Sequence, residues 1–322
     1  MTPTHTPGEH PGTPTDSLRT PASGSDFPDP LAGTDPLAGT DPLASTDPLG
    51  GAAQLIDRIT SDAAHRLRHL RRTSRGGRTP ALVVVAHGSR DPRTLATVRS
   101  LLATVRTLRP GLPVHLGHIE LNEPLLPDTL AALAPGRAVL VPLLLGRGHH
   151  VKHDLPAAAA ARHLDARVAA PLGPHPLLVD ALYDRLVEAG FPAGGRRRGA
   201  AVVLASAGSR DPEGLADTRS TAAALAERLG VPVVPAYASA AAPTVPDAVR
   251  ALAARGRDRV AVASYFTAPG RFAAQSAAVA PGVASAPLGT HPAMAELLLR
   301  RYEEALRVCT PAPAGGFQLA SA

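Results

Sequence analysis

Three residues in the first half of the chain have the types and spacing to bind a metal ion or transfer a proton. His87 and Glu120 each follow an apolar run, and His150 lies in a loop after a third run. Two imidazoles and one carboxylate suit a divalent first-row transition ion, and the coordination positions left open are what a catalytic metal site requires. The alternative is that three unrelated polar residues simply end three strands.

Alternating apolar runs and amphipathic patterns predict a βαβα arrangement that positions these residues. The run at 82–86 is apolar throughout, as expected for a strand covered on both faces of a parallel sheet. Asp91 and Pro92 predict the N-cap and first residue of a helix. Further strands are predicted at 114–119, 138–143 and 167–170, and helices at 93–108, 125–133, 177–188 and from about Asp154. Ligands of such sheets bind beyond the carboxyl ends of the strands, so the three polar residues should converge there.

The βαβα unit occurs twice in the chain. Residues 81–92 match 201–212 at an offset of 120, and residues 170–176 match 286–292 at an offset of 116. Two matches in the same order indicate an internal duplication. The predicted fold class is α/β, with two tandem doubly wound parallel-sheet domains preceded by a disordered tail.

The two copies agree in scaffold but differ in chemistry. The second copy has other residues at the places of His87, Glu120 and His150, namely Ala207, Ser239 and Phe272. His175 and His291 instead occur in both copies, so we expect them to cap the last helix of each. The candidate site is therefore predicted in the first copy, with a degenerate site in the second.

The domain bounds follow from these patterns and from composition. We predict an N-terminal domain at 79–190 and a C-terminal domain at 200–308, joined by a Gly- and Arg-rich linker at 191–199. Residues 1–51 contain repeats of Asp-Pro-Leu-Ala-Gly-Thr and are expected to be disordered. The remaining predictions are a basic amphipathic helix and linker at 52–78 and a C-terminal tail at 309–322.

Composition limits the cellular setting and the partners. No apolar run approaches the ~20 residues that cross a bilayer, and the single cysteine, Cys309, excludes an intramolecular disulfide. We therefore expect a cytoplasmic protein without a membrane span. The net charge of +6 comes mainly from scattered arginines, and only 3% of residues are aromatic. With no recognisable binding module, nucleic-acid binding is not expected.

Three sequence blocks stand out around the candidate residues: Ala-His-Gly-Ser-Arg-Asp-Pro at 86–92, Ile-Glu-Leu-Asn-Glu-Pro at 119–124 and Val-Pro-Leu-Leu-Leu-Gly-Arg-Gly-His-His-Val-Lys-His-Asp-Leu-Pro at 141–156. These blocks resemble the small, ATP-independent class II chelatases, specifically the sirohydrochlorin chelatase family of siroheme and cobalamin biosynthesis. The resemblance covers about 80–308. It implies a chelatase-like fold and insertion of Fe²⁺ or Co²⁺ into sirohydrochlorin or a related tetrapyrrole, with no permanently bound cofactor.

The resemblance also implies roles for single residues. His87 and His150 correspond to the metal-binding histidines of the family, and Glu120 corresponds to its active-site acid. The substrate is rich in carboxylates, so the nearby polar and basic residues are expected to bind it: Ser89, Arg90, Arg147 and Lys152. Ordinary solvated charges are the alternative interpretation for these cations.

Some alternatives stay open at this level. A non-catalytic carrier of metal or tetrapyrrole could use the same ligands without turnover. A nucleotide-binding protein is disfavoured, because neither half has a P-loop or G-x-G-x-x-G after its first strand. Iron, cobalt and nickel suit the same nitrogen and oxygen ligands. Because the duplication can supply both halves of a cleft, the chain could act as a monomer.

Overall fold

The computed structural model describes residues 79–160, 164–192 and 198–307. The predictions for the tail, the amphipathic helix and the C-terminal tail lie outside the described residues, as does most of the linker. None of the described helices is long and apolar enough to cross a membrane.

The first copy forms a parallel sheet with helices on both faces. In the described part of the chain its strands are β1 (Ala81–Ala86), β2 (Val114–His118), β3 (Gly136–Pro142) and β4 (Leu164–Val168), in the order β2-β1-β3-β4. The helices are α1 (Pro92–Leu108), α2 (Leu126–Ala131), α3 (Leu155–Ala159) and α4 (Pro176–Glu188), with a π-helical turn (His150–Asp154) directly before α3. The helix predicted near Asp154 therefore begins one turn earlier, at His150.

The second copy repeats this arrangement with a shortened sheet edge. Its strands are β5 (Ala200–Ser206), β6 (Val233–Tyr237) and β7 (Arg259–Tyr265), in the order β6-β5-β7. Its helices are α5 (Pro212–Leu229), α6 (Val245–Ala254), α7 (Arg271–Ala278) and α8 (Pro292–Arg307). A single parallel bridge between Val262 and Ala284 stands where β4 pairs with β3 in the first copy.

Each sheet has apolar packing on both faces, which confirms the doubly wound fold. Leu82 and Val84 of β1 face a core shared by the two sheets and by α1, α4, α5 and α8. Val83 and Val85 face an outer core with α2 and α3. Successive side chains of a strand point to opposite faces of the sheet, so β1 is buried on both faces.

The two copies exchange their last helices across the shared core. Helix α8 of the second copy packs against β3 of the first sheet, and α4 of the first copy packs against β7 of the second sheet. Hydrogen bonds secure this exchange: the Tyr302 hydroxyl donates to the Pro80 carbonyl over 2.7 Å, and the Arg301 guanidinium donates to the Leu172 carbonyl over 3.0 Å. Each sheet thus depends on a helix of the other copy for part of its inner cover.

The helix caps expected from the sequence are present. Asp91 accepts a hydrogen bond from the Arg93 amide, with Pro92 as the first helical residue. His175 and His291 each accept an amide hydrogen bond through Nδ1 at the start of α4 and α8. The prediction of a capping role for these two histidines is confirmed.

Candidate functional site

The carboxyl ends of β1, β2 and β3 meet at one edge of the first sheet, and the three candidate residues lie there. His87 directly follows β1, and its carbonyl accepts a hydrogen bond from the Glu120 amide over 3.0 Å. His150 begins the π-helical turn that follows β3. Parallel pairing of the three strands thus brings residues from three separated segments together.

The side chains of these three residues face one another. His87 Nδ1 lies 3.5 Å from Glu120 Oε1, and the rings of His87 and His150 meet edge to face with centroids 5.0 Å apart. A separation of 3.5 Å is too long for a strong hydrogen bond, so the Glu120 carboxylate, 53% exposed, can move. Among the described residues, no group of three or more His, Cys, Asp or Glu side chains is arranged to hold a metal ion.

Asp154 orients His150, a contact that the sequence reasoning missed. Asp154 Oδ2 lies 2.6 Å from His150 Nδ1, and this hydrogen bond lowers the pKa of the Asp154 carboxyl below its ordinary value. An ionised carboxylate only accepts hydrogen bonds, so it favours the proton on Nδ1 and leaves Nε2 as a free electron-pair donor. The spacing of four residues would have revealed the pair had the helix been predicted to begin at His150.

Gly88 holds the backbones of His87 and Glu120 in close contact. Its φ of +104° suits glycine, and a Cβ there would lie 1.8 Å from the Glu120 carbonyl oxygen. The second copy has the same crowding, since a Cβ on Gly208 would lie 1.9 Å from the Ser239 carbonyl oxygen. The glycine is therefore part of the duplicated scaffold, whereas the candidate ligands are not.

Ser89 and Arg90 follow this turn but differ in their contacts. The Ser89 amide donates to Asn122 Oδ1 over 2.7 Å, and its hydroxyl accepts from the Asp91 amide over 3.0 Å. Ser89 therefore helps to shape the turn. Arg90 is exposed and makes no side-chain hydrogen bond or ion pair with another described residue. The substrate-binding role of both residues stays a prediction.

Arg147 and Lys152 contact the second copy. Arg147 donates to the buried Asp217 from its amide and its guanidinium over 2.6–3.0 Å. Lys152 Nζ lies 2.6 Å from carboxylate oxygens of both Asp211 and Glu213. These pairs tie the loop that carries His150 to the start of α5. Substrate binding by the two cations stays a prediction, and it would require them to exchange these partners.

Strand register supports the comparison of the two copies. Pro142 pairs with Val85 and Ser264 pairs with Ala205, so β3 and β7 are offset by 122 positions, as are His150 and Phe272. The Ser239 amide donates to the Ala207 carbonyl, just as the Glu120 amide donates to His87. The equivalent edge of the second sheet thus carries Ala207, Ser239 and Phe272, which offer neither an imidazole nor a carboxylate.

Comparison with known proteins shows what the chain is similar to. A family model described as CbiX matches residues 81–189 and again residues 201–305. A sirohydrochlorin ferrochelatase from Bacillus subtilis is 31% identical over 173 residues, which is 51% of this chain and 64% of the relative. A sirohydrochlorin cobaltochelatase from Methanococcus aeolicus is 34% identical over 79 residues, 24% of this chain and 55% of the relative. These matches span less than two thirds of either relative.

Solved structures agree with the fold. The structure of SirB from Bacillus subtilis with Fe³⁺ has a TM-score of 0.59 and 25% identity, and the match covers 70% of this chain and 95% of that one. A structure of CbiX, described as the terminal enzyme for siroheme biosynthesis in denitrifying bacteria, has a TM-score of 0.54 at 20% identity and covers 70% and 99%. Because the family model matches well over half of the chain in two successive copies that share this fold, the chain belongs to the CbiX family.

Proposed function

We propose that the chain is a sirohydrochlorin chelatase, which inserts Fe²⁺ or Co²⁺ into sirohydrochlorin or a related tetrapyrrole for siroheme or cobalamin biosynthesis. The observation that carries the proposal is the meeting of His87, Glu120 and His150 at one sheet edge in a CbiX-family chain. The names of the relatives, ferrochelatase and cobaltochelatase, support the same reaction.

In this proposal His87 and His150 receive the metal substrate. Asp154 occupies Nδ1 of His150, and Glu120 faces Nδ1 of His87, so each ring offers Nε2 as the ligand atom. Neutral imidazoles bind divalent transition ions at ~2.0–2.1 Å if zinc-like distances apply. Two protein ligands leave several coordination positions for water and for the incoming pyrrole nitrogens, so the ion can be transferred.

Glu120 acts as the base in this proposal. Insertion of a divalent ion releases two protons from the pyrrole nitrogens, and a carboxylate beside the metal ligands can accept them. Glu120 is half exposed, so it can return each proton to solvent. Such general-base catalysis typically contributes ~10²–10⁴-fold to a rate.

Arg90 is the first candidate for binding the substrate carboxylates, because it is exposed and unpaired among the described residues. Ser89 can donate its hydroxyl proton, and Arg147 and Lys152 could bind after exchanging their present carboxylate partners. We also propose the domain bounds given above, a cytoplasmic location, and action as a monomer in which the second copy closes the cleft.

Incubation of the full chain with sirohydrochlorin and either Fe²⁺ or Co²⁺ tests the proposal. The absorbance change should continue through many turnovers. A single stoichiometric change without release of metallated product would instead identify a carrier.

Variants of the three residues separate their roles. His87→Ala and His150→Ala should weaken metal binding and insertion together. Glu120→Gln should slow insertion by ~10²-fold or more at nearly unchanged metal affinity, because the amide cannot accept the proton. The matched control is Glu123→Gln. The exposed Glu123 carboxylate accepts a hydrogen bond from the Leu125 backbone amide, and the side-chain oxygen of glutamine can accept the same bond. If Glu120→Gln abolishes metal binding instead, Glu120 is a metal ligand and the base lies elsewhere.

A further inference from the structure

Two further histidines lie next to the candidate site. His149 precedes the π-helical turn with helical backbone angles, and His153 lies four positions later within the turn. Their rings have centroids 4.7 Å apart and an interplanar angle of 39°. A pair of histidines spaced by four residues on one helical face is a recurrent way to bind a transition ion.

Both rings are open to solvent, so an ion can reach them. The His149 side chain is 75% exposed, and His153 is exposed as well. Asp154 links this pair to the candidate site, because Oδ2 contacts His150 Nδ1 while Oδ1 lies 3.8 Å from His149 Nε2. One carboxylate therefore faces a histidine of each pair.

The charges around the pair favour a cation. Arg147 and Lys152 lie in the same segment, but both are held in ion pairs with the second copy. Asp154 is the carboxylate that lies beside the pair, with Oδ1 facing His149. Its negative charge favours a divalent ion at the exposed rings.

The equivalent positions of the second copy have no metal ligands. At the offset of 122 set by β3 and β7, His149 corresponds to Arg271 and His153 corresponds to Gln275. The exposed pair is thus present only in the copy that carries the candidate site.

We propose that His149 and His153 form a second binding site, for a divalent first-row transition ion, that loads the site at His87 and His150. The four imidazoles form a continuous series that links the outer pair to His87. Successive ring centroids are 4.7 Å apart from His153 to His149, 6.2 Å from His149 to His150, and 5.0 Å from His150 to His87. Binding at the outer pair is independent of the reaction, whereas its role in loading rests on the proposed function.

Equilibrium dialysis of the full chain against Co²⁺ alone tests the site. The double variant His149→Ala/His153→Ala should bind one Co²⁺ fewer than the wild type. The double variant His87→Ala/His150→Ala should also bind one fewer, and the combination should bind two fewer. The matched control Arg271→Ala/Gln275→Ala should bind as many as the wild type. Thermal unfolding checks that each variant is folded.

Insertion kinetics test the loading role separately. With the outer pair removed, insertion should slow at limiting Co²⁺ and keep its maximal rate at saturating Co²⁺. Unchanged stoichiometry in His149→Ala/His153→Ala overturns the outer site, and so does loss of both ions from that variant, which would indicate one shared site. The wild type could fail to insert metal while His149→Ala/His153→Ala still binds one Co²⁺ fewer than the wild type. In that case the proposed function fails and the second site stands.

Discussion

Replacing Gly88 by alanine tests whether the turn after β1 positions the chemistry. The backbone at Gly88 has a φ of +104°, a conformation that costs a residue with a side chain about 1–3 kcal/mol. The added Cβ would also lie 1.8 Å from the Glu120 carbonyl oxygen, below the 3.0 Å that real contacts respect. Relieving the clash therefore requires a shift of about 1.2 Å between the segments that carry His87 and Glu120.

The expected result is a loss of both stability and activity. A displacement of about 1 Å in a catalytic arrangement can cost ~10²-fold in rate, so Gly88→Ala should lower insertion by about that factor per folded molecule. Urea unfolding followed by circular dichroism measures the change in free energy of unfolding. The absorbance assay with sirohydrochlorin and Co²⁺ measures the rate.

Gly208→Ala is the matched control. Its φ is +94° and its Cβ would lie 1.9 Å from the Ser239 carbonyl oxygen, so the free energy of unfolding should fall by a similar amount. The insertion rate should stay near that of the wild type, because the second copy lacks the candidate ligands. Equal losses of activity in the two variants would refute the assignment of the chemistry to the first copy.

Three further outcomes follow from contacts within the fold. Tyr265→Phe removes the hydrogen bond from a buried hydroxyl to the Leu145 carbonyl, and urea unfolding should show a loss of about 1 kcal/mol. Burial lowers the pKa of His118 and His175 below the ordinary 6.5, so both favour the neutral form when folded. The stability that is present above about pH 6.5 should therefore be lost as the pH falls below it, and the melting temperature should be lower at pH 5.5 than at pH 7.5. Equal melting temperatures at the two pH values would contradict this expectation. A fragment of residues 79–192 lacks α8 to cover β3, so light scattering should report a dimer of exchanged helices, and a folded monomer would contradict the exchange.

Much of the architecture could be predicted because its signals are local. Apolar runs located β1, β2 and β3 to within about two residues, and Asp91 with Pro92 located the start of α1. The differences between the two copies separated His87, Glu120 and His150 from the scaffold without any other sequence. Periodicity and cap chemistry can be recognised within one short stretch of chain, and the internal repeat can be recognised by comparing two such stretches.

The sequence by itself therefore determined the duplication, the parallel sheets and the copy that carries the candidate chemistry. Only the tertiary structure decided which partners meet across the two copies: the exchange of α4 and α8, the pairing of Arg147 with Asp217, and the contact of Tyr265 with Leu145. Those residues are 70 and 120 positions apart. Contacts of that separation leave no periodic pattern, because they depend on how two sheets and the helices between them pack around one core.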